Sequence, residues 1–314
     1  MTADKGLRFG IAIPQIFPSG EIDPAAIARW LVKAESLGYY GGWVQEQPLG
    51  TVATLDPIPL LSFAAAVTSR IKLGTSVMLT VLRNPVPLAK SLASLDQLSG
   101  GRLMFGVGLG GYADSYPAFG MTRKGRTDRF EEGIELIKKM WTEDSVTFNG
   151  RFWQLDGQSI GPRPLQKPHP PIWFGTRSIQ ALKRVVRLGD GWMGAGATPT
   201  ETFKEEIKRV RELLEEEGRD PAAFALSKRV YVAVDKDKNR AGQRLQEWFG
   251  HYYRDADMAL RVSVFGNEEE CAQGLGEVAD QGIDLLMVNP LFDFEEQAER
   301  LAKDVLPKLG KALV

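Results

Sequence analysis

The sequence predicts an α/β fold closed into a single (β/α)8 TIM barrel. Three observations carry this reading. Eight short apolar runs recur along the 314 residues, each followed by a stretch of helical periodicity. Strands alternating with helices pair in parallel through right-handed crossovers. The spacing is even, and no acidic or proline-rich linker divides residues 1–314 into two domains. An open, doubly wound sheet is the competing parallel architecture. The count of eight favours the barrel, which often runs beyond ~250 residues as one domain.

The elements follow in order. Residues 7–13 read as a strand, because β-branched and aromatic residues recur and Pro14 stops it. Asp23 before Pro24 is an N-cap followed by proline at the first helical position, and Gly38 ends that helix. Residues 42–44 start a second strand, 57–68 a second helix and 71–77 a third strand. Over 85–98, Leu88, Leu92, Leu95 and Leu98 stand four and three apart, which is one helix face. Residues 103–108 form a fourth strand, and the next helix carries Phe130, Ile134, Ile137 and Trp141 on one face.

The rhythm breaks in a small insertion around 145–171. Asn149-Gly150 between apolar runs predicts a hairpin with a tight primed turn, and GPRPLQKPHPP is an extended connector. A fifth strand at 172–174 precedes a helix marked by Ile179, Leu182 and Val186. A sixth at 191–194 precedes one marked by Phe203, Ile207, Val210 and Leu214. The seventh strand spans 227–234. An extra helical segment around 238–281 comprises two helices, 238–253 and 267–281. Residues 283–288 are the eighth strand and 294–309 a closing helix.

Composition narrows the function. Lys plus Arg is 39 and Asp plus Glu is 40, for a net charge of −1, which speaks against nucleic acid as a partner. One cysteine excludes a disulfide framework, and with only two histidines no metal site is expected. The N-terminal residues lack a signal-peptide core, and no apolar window reaches the ~18 residues of a membrane span. The expectation is a cytoplasmic protein with a small-molecule substrate and no membrane partner.

In such a barrel, chemistry sits where strands end. The candidates are Pro14–Gln15, Glu46–Gln47, 76–78, 108–111, 175–178 and Asn289. Residues 106–111, GVGLGG, match G-x-G-x-x-G. A dinucleotide fingerprint should follow the first strand and open directly into a helix. This one follows the fourth strand, so a glycine-rich barrel turn, or close approach of a flat ring to backbone, fits better. Gly175, Thr176, Arg177 and Ser178 join a strand to a helix start. Free amides, two hydroxyls and an arginine suit a phosphate, and an ordinary serine cap beside a solvated arginine is the plainer alternative. Glu46 and Gln47 follow Trp43 at the second strand's end. Glu46 is either an acid or base in the mouth, or a structural carboxylate held by an arginine or a backbone amide. Asp56 before Pro57 reads as an N-cap, Cys271 as a small buried side chain, and His169 and His251 as structural or exposed.

The stretch SRIKLGTSVMLTVLRNPVPLAKSLASLDQLSGGRLMFGVGLGG, residues 69–111, resembles the bacterial luciferase-like monooxygenase superfamily. So do AESLGYYGGWVQEQ, PRPLQKPHPPIWFG, RLGDGW and GNEEECAQGLGEVADQGIDLLMV, in the family's order. Within the superfamily the chain looks most like the oxidoreductases that use coenzyme F420, and the flavin mononucleotide (FMN) branch is also similar. The resemblance implies a flavin-type ring at the barrel mouth and a homodimer. It implies a non-proline cis peptide between Ser76 and Val77 against the ring, with Met78 beside it. The cofactor phosphate would lie at Gly175, Thr176, Arg177 and Ser178, with Gly108 and Gly110 lining the ring cavity. Glu46, Gln47 and Trp43 would stand at the reacting centre.

Two departures stand out. Many F420-dependent members carry Asp-His or Glu-His after the second strand, where this chain has Glu46-Gln47. Sugar-phosphate-oxidising members carry a glutamate where this chain has Gly111. The expected function is hydride transfer between coenzyme F420 and a small organic substrate. The alternatives are an FMN-dependent monooxygenase and a non-catalytic flavin-binding protein.

Overall fold

A computed structural model describes residues 6–111 and 113–310. Eight parallel strands close into a barrel: β1 (Arg8–Ala12), β2 (Gly41–Val44), β3 (Lys72–Thr75), β4 (Leu103–Val107), β5 (Ile172–Gly175), β6 (Gly191–Gly194), β7 (Ala225–Val234) and β8 (Leu285–Asn289). Each pairs with the next in chain order, and β8 returns to β1 with Arg8 opposite Leu285. The expected (β/α)8 barrel is therefore the fold.

The first three outer helices, α1 (Pro24–Ser36), α2 (Pro57–Val67) and α3 (Pro85–Leu98), start by one device. Asp23, Asp56 and Asn84 each accept an amide proton two residues on, at 2.8, 3.0 and 3.0 Å, and each is followed by proline. The cap satisfies an orphan N–H, and proline lacks one at a position that needs none. Next come α4 (Arg126–Thr142), α5 (Ile179–Leu188) and α6 (Thr200–Glu216). Their apolar stripes pack on the outer faces of the strands, burying Leu31, Leu61, Leu92, Ile134, Val186 and Val210 in one core. A second core fills the barrel itself. It contains Trp43, Met104, Trp173, Met193, Leu285 and Met287, with Trp43 stacked on Trp173 at 5.8 Å.

Three local expectations need correcting. The hairpin pairs Val146–Asn149 with Gln154–Gln158, but its turn is wider than a primed two-residue turn. Glu132 on α4 accepts the amides of Arg151, Phe152 and Trp153 at 3.0, 2.8 and 2.9 Å, which opens the connection. The segment after β7 is not purely helical. Between α7 (Lys238–Tyr253), α8 (Met258–Val262) and α9 (Glu268–Ala279) lies a ninth parallel strand, Ser263–Gly266. It pairs with Tyr231 to Val234, the part of the ten-residue β7 that overruns the barrel. The closing helix α10 (Phe294–Arg300) gives way to a wide turn and then a tight one around Pro307. Cys271 on α9 is fully buried, its thiol facing the carbonyls of Gly266 and Ala233, and burial pushes its pKa up to about 12.

Among the described residues, no helix is long and apolar enough to cross a membrane.

Candidate active site

The C-terminal ends of the strands open into a cleft of about 570 Å³. That is a usual size for a small-molecule site. The peptide between Ser76 and Val77, leaving β3, is cis, as the resemblance implied. The Val77 side chain enters the space between the ends of β4 and β5. A Cβ at Gly108 would lie 2.6 Å from Val77 Cγ2, and one at Gly175 2.7 Å from Cγ1. Glycine at both positions is therefore what allows Val77 to stand in the cleft wall.

Ser76, Val77, Gly110, Gly175, Thr176, Arg177 and Ser178 all line this cleft. Met78 and Gly108 do not. Met78 is fully buried beneath it, donating to the Gly106 carbonyl at 2.8 Å, and Gly108 N donates to the Met78 carbonyl at 2.9 Å. They support the wall and do not form its surface. At the start of α5, Ser178 makes no capping bond through its side chain; its amide donates to Thr176 Oγ1 at 3.1 Å. Arg126, Arg177 and Arg184 add positive charge to this end, and Arg184 also pairs with Glu131.

Glu46 and Gln47 stand behind the cleft wall, where the Glu46 amide donates to the Val77 carbonyl at 3.2 Å. Glu46 is buried, with one carboxylate oxygen accepting the Leu79 amide and the other taken by Arg83, whose Nε lies at 2.8 Å. Arg83 also reaches Asp56 at 2.6 Å, so three loops are tied at one guanidinium. This is the structural-carboxylate arrangement, with an arginine and a backbone amide both present. Neither Glu46 nor Gln47 lines the cleft or the slot beside it, and Gln47 Oε1 is buried without a partner. Trp43 belongs to the barrel core and reaches the slot. The physical reason is strand parity, since successive side chains leave opposite faces. Trp43 points into the barrel, Gln45 follows it, and Glu46 turns away.

Gln45, Arg229, Tyr231, Tyr252 and Tyr253 also converge near the mouth and were not among the sequence candidates. Gln45 Nε2 donates to the Tyr252 hydroxyl at 2.8 Å, and Gln45 Oε1 accepts from Arg229 at 2.8 Å. Arg229 also donates to Tyr231, whose hydroxyl meets that of Tyr253 at 2.6 Å. Burial raises the Tyr231 pKa well above its ordinary value, so this phenol keeps its proton. Helix α7 supplies Trp248, Tyr252 and Tyr253 as an aromatic cover over β7. The slot below runs between Trp43, Gln45, Trp248, Asn289 and Leu291. Neither His169 nor His251 lines the cleft or the slot.

Behind the cleft, Lys228 and Glu206 are both 2% exposed. Lys228 Nζ donates to the carbonyls of Ala195 and Thr198, and Glu206 Oε2 has no partner. Burial pushes Glu206 up to about 7, against the pull of Lys228 and Arg177. Folded protein therefore binds a proton there that the unfolded chain releases above about 4.5. Stability should fall as pH rises from 5 to 7. Relative to Glu206→Gln, the wild type should lose about 1–3 kcal/mol over that window. Urea unfolding of both proteins at pH 5 and 7 checks this, and a constant difference would refute it.

The profile of the luciferase-like monooxygenase family matches residues 7–286. The F420-dependent glucose-6-phosphate dehydrogenase of Kineococcus radiotolerans is 32% identical over 234 residues, 72% of this chain and 68% of its own. The FMNH(2)-dependent dimethylsulfone monooxygenase of Pseudomonas putida is 26% identical over 257 residues, 71% of this chain and 70% of its own. An F420-dependent secondary alcohol dehydrogenase, solved with an F420-acetone adduct, superposes with a TM-score of 0.84. It covers 96% of this chain and 99% of that one at 19% identity, a level that bears on the fold alone. With the profile spanning most of the barrel and relatives of both cofactor types sharing it, the chain belongs to the luciferase-like monooxygenase family.

Proposed function

We propose that the protein is an oxidoreductase moving a hydride between coenzyme F420 and a small organic substrate held at the barrel mouth. The observation that carries this reading is the cleft itself. Val77 stands between Gly108 and Gly175 as a flat backing, and amides, hydroxyls and Arg177 gather at one end. That end fits a phosphate and the backing fits a planar ring. F420 is preferred over FMN because the F420-dependent relative is the more similar of the two, 32% against 26%. When bound, the deazaflavin ring takes up or gives up a hydride; the protein binds, orients and excludes water.

In this reading Thr176, Arg177 and Ser178 hold the phosphate, and Ser76, Val77 and Gly110 face the ring. Glu46, through Arg83, keeps the mouth in shape and transfers no proton. Gly111 lines the cleft without a side chain, which supports a substrate other than a sugar phosphate. The FMN-dependent monooxygenase is the second reading, favoured by the dimethylsulfone relative. The family resemblance extends the proposal to a homodimeric, cytoplasmic enzyme.

Titration with coenzyme F420 and with FMN tests this directly. Tighter binding of F420 is expected. Arg177→Ala should weaken it by about 1.5–3 kcal/mol, the range for a charge-assisted hydrogen bond, with the backbone amides keeping part of the site. Sub-micromolar affinity for FMN with none for F420 would promote the monooxygenase. An unchanged dissociation constant in Arg177→Ala at low salt would remove Arg177 from the site.

A further inference from the structure

Arg229 stands where the cleft and the slot meet, and it lines both. A guanidinium has five N–H groups and a permanent charge. Nη1 donates to Gln45 Oε1 at 2.8 Å and to the Ser76 carbonyl at 3.0 Å, and Nη2 to the Tyr231 hydroxyl at 3.1 Å. All three acceptors are neutral. Nε is buried with no partner. A Cβ at Gly196 would lie 2.8 Å from Nε and 3.3 Å from Nη2, so the Gly196 backbone packs closely against that edge and leaves it without an acceptor. Among the described residues, no aspartate or glutamate lines the cleft or the slot.

Arg102 provides the contrast. It is also buried among neutral groups, at the other end of the barrel. There Nε, Nη1 and Nη2 make five bonds, to Ser99, Thr68, Ile71 and Ala65, which satisfies the whole guanidinium. Arg102 is complete as a structural arginine, and Arg229 is not. A largely buried cation with only neutral partners and a donor left unmet is costly unless a ligand brings the opposite charge.

We infer that Arg229 is the anion-recognition residue of the mouth and that the substrate is a small carboxylate with an apolar body. This rests on the proposed placement of the cofactor in the cleft. An apolar wall stands beside Arg229, where Trp43, Trp248, Val288 and Leu291 line the slot, whose free volume of about 40 Å³ admits only the end of such a body. Gln45 and Asn289 supply the neutral polar contacts. A planar guanidinium matches a carboxylate better than any other side chain does. The same charge could instead serve an oxyanion on the bound ring, and the test separates the two.

The experiment uses the full chain, alone and loaded with F420 or FMN. Probes are benzoate, phenylacetate and hexanoate, each beside its neutral carboxamide. Binding is read by calorimetry and by fluorescence of Trp43 and Trp248, without reference to turnover. At least one acid is expected to bind ten times more tightly than its amide. Arg229→Met should abolish that preference while leaving cofactor affinity within threefold, and Arg229→Lys should restore part of it. No preference for acid over amide in the wild type would overturn the inference, whatever the variants do. Loss of cofactor affinity in Arg229→Met without any acid preference would assign the charge to the ring and also overturn it. If wild-type protein prefers the acids but binds neither cofactor, the anion site stands and the proposed function falls.

Discussion

Replacing Gly106 by alanine is expected to cost about 3 kcal/mol or more, at or beyond the upper end for an overpacked core, and to leave little soluble protein. A Cβ there would lie 1.8 Å from the Thr75 carbonyl oxygen and 2.8 Å from Met193 Sδ. The carbonyl belongs to β3 and cannot retreat without breaking the barrel ladder. The Thr75 hydroxyl also donates to the Gly106 carbonyl at 2.6 Å, pinning the two strands together. Gly111→Ala is the matched control, since nothing lies within 4 Å of its added carbon. Thermal or urea unfolding of both variants decides the matter. A Gly106→Ala protein as stable as Gly111→Ala would show that the β3–β4 approach is looser than described.

The second large effect is at Glu46. Glu46→Ala removes the partner of Arg83 and the acceptor for the Leu79 amide. Breaking a fully buried pair costs about 3–5 kcal/mol. Here the Arg83 side chain is 27% exposed and keeps Asp56, so about 2 kcal/mol is the expected loss. Glu46→Gln retains an acceptor oxygen and should lose about 1 kcal/mol. Its turnover should stay within about tenfold of wild type with an unshifted pH profile, because the group holds a loop and not a proton in flight. A general acid or base would instead show a loss of about 10²–10⁴ and a missing limb of the pH profile. Kinetics of Glu46→Gln across pH therefore separate anchor from catalyst.

The barrel was legible because each β/α unit announces itself locally. Proline after Asp23, Asp56 and Asn84 marks three helix starts without reference to the rest of the chain. That Gly175 to Ser178 line one end of the cleft was legible for the same reason, since they form one contiguous strand-to-helix turn. The mouth was harder. Period two alone places Gln45 with Trp43 and sets Glu46 opposite, but a strand buried on both faces does not declare which face is the interior. Lys228 and Arg229 pose the same ambiguity on β7, and only closure of the barrel assigns Arg229 to the lumen and Lys228 to α6. The ninth strand, Ser263–Gly266, depends on β7 overrunning the barrel, a length no local signal records. The Asn149-Gly150 turn was overruled by Glu132, eighteen residues away in sequence and adjacent in space.

Cys271 has a practical consequence. A thiol with no exposed surface and a pKa near 12 presents almost no thiolate at neutral pH, and maleimides react with thiolates. The native chain thus behaves as cysteine-free toward bioconjugation while folded. Gln243 lies on the exposed side of α7, the helix whose aromatic face covers the mouth. A Gln243→Cys protein would carry a single addressable attachment point. A fluorophore or spin label there reports on the cover alone, and the wild-type sequence serves as its own blank.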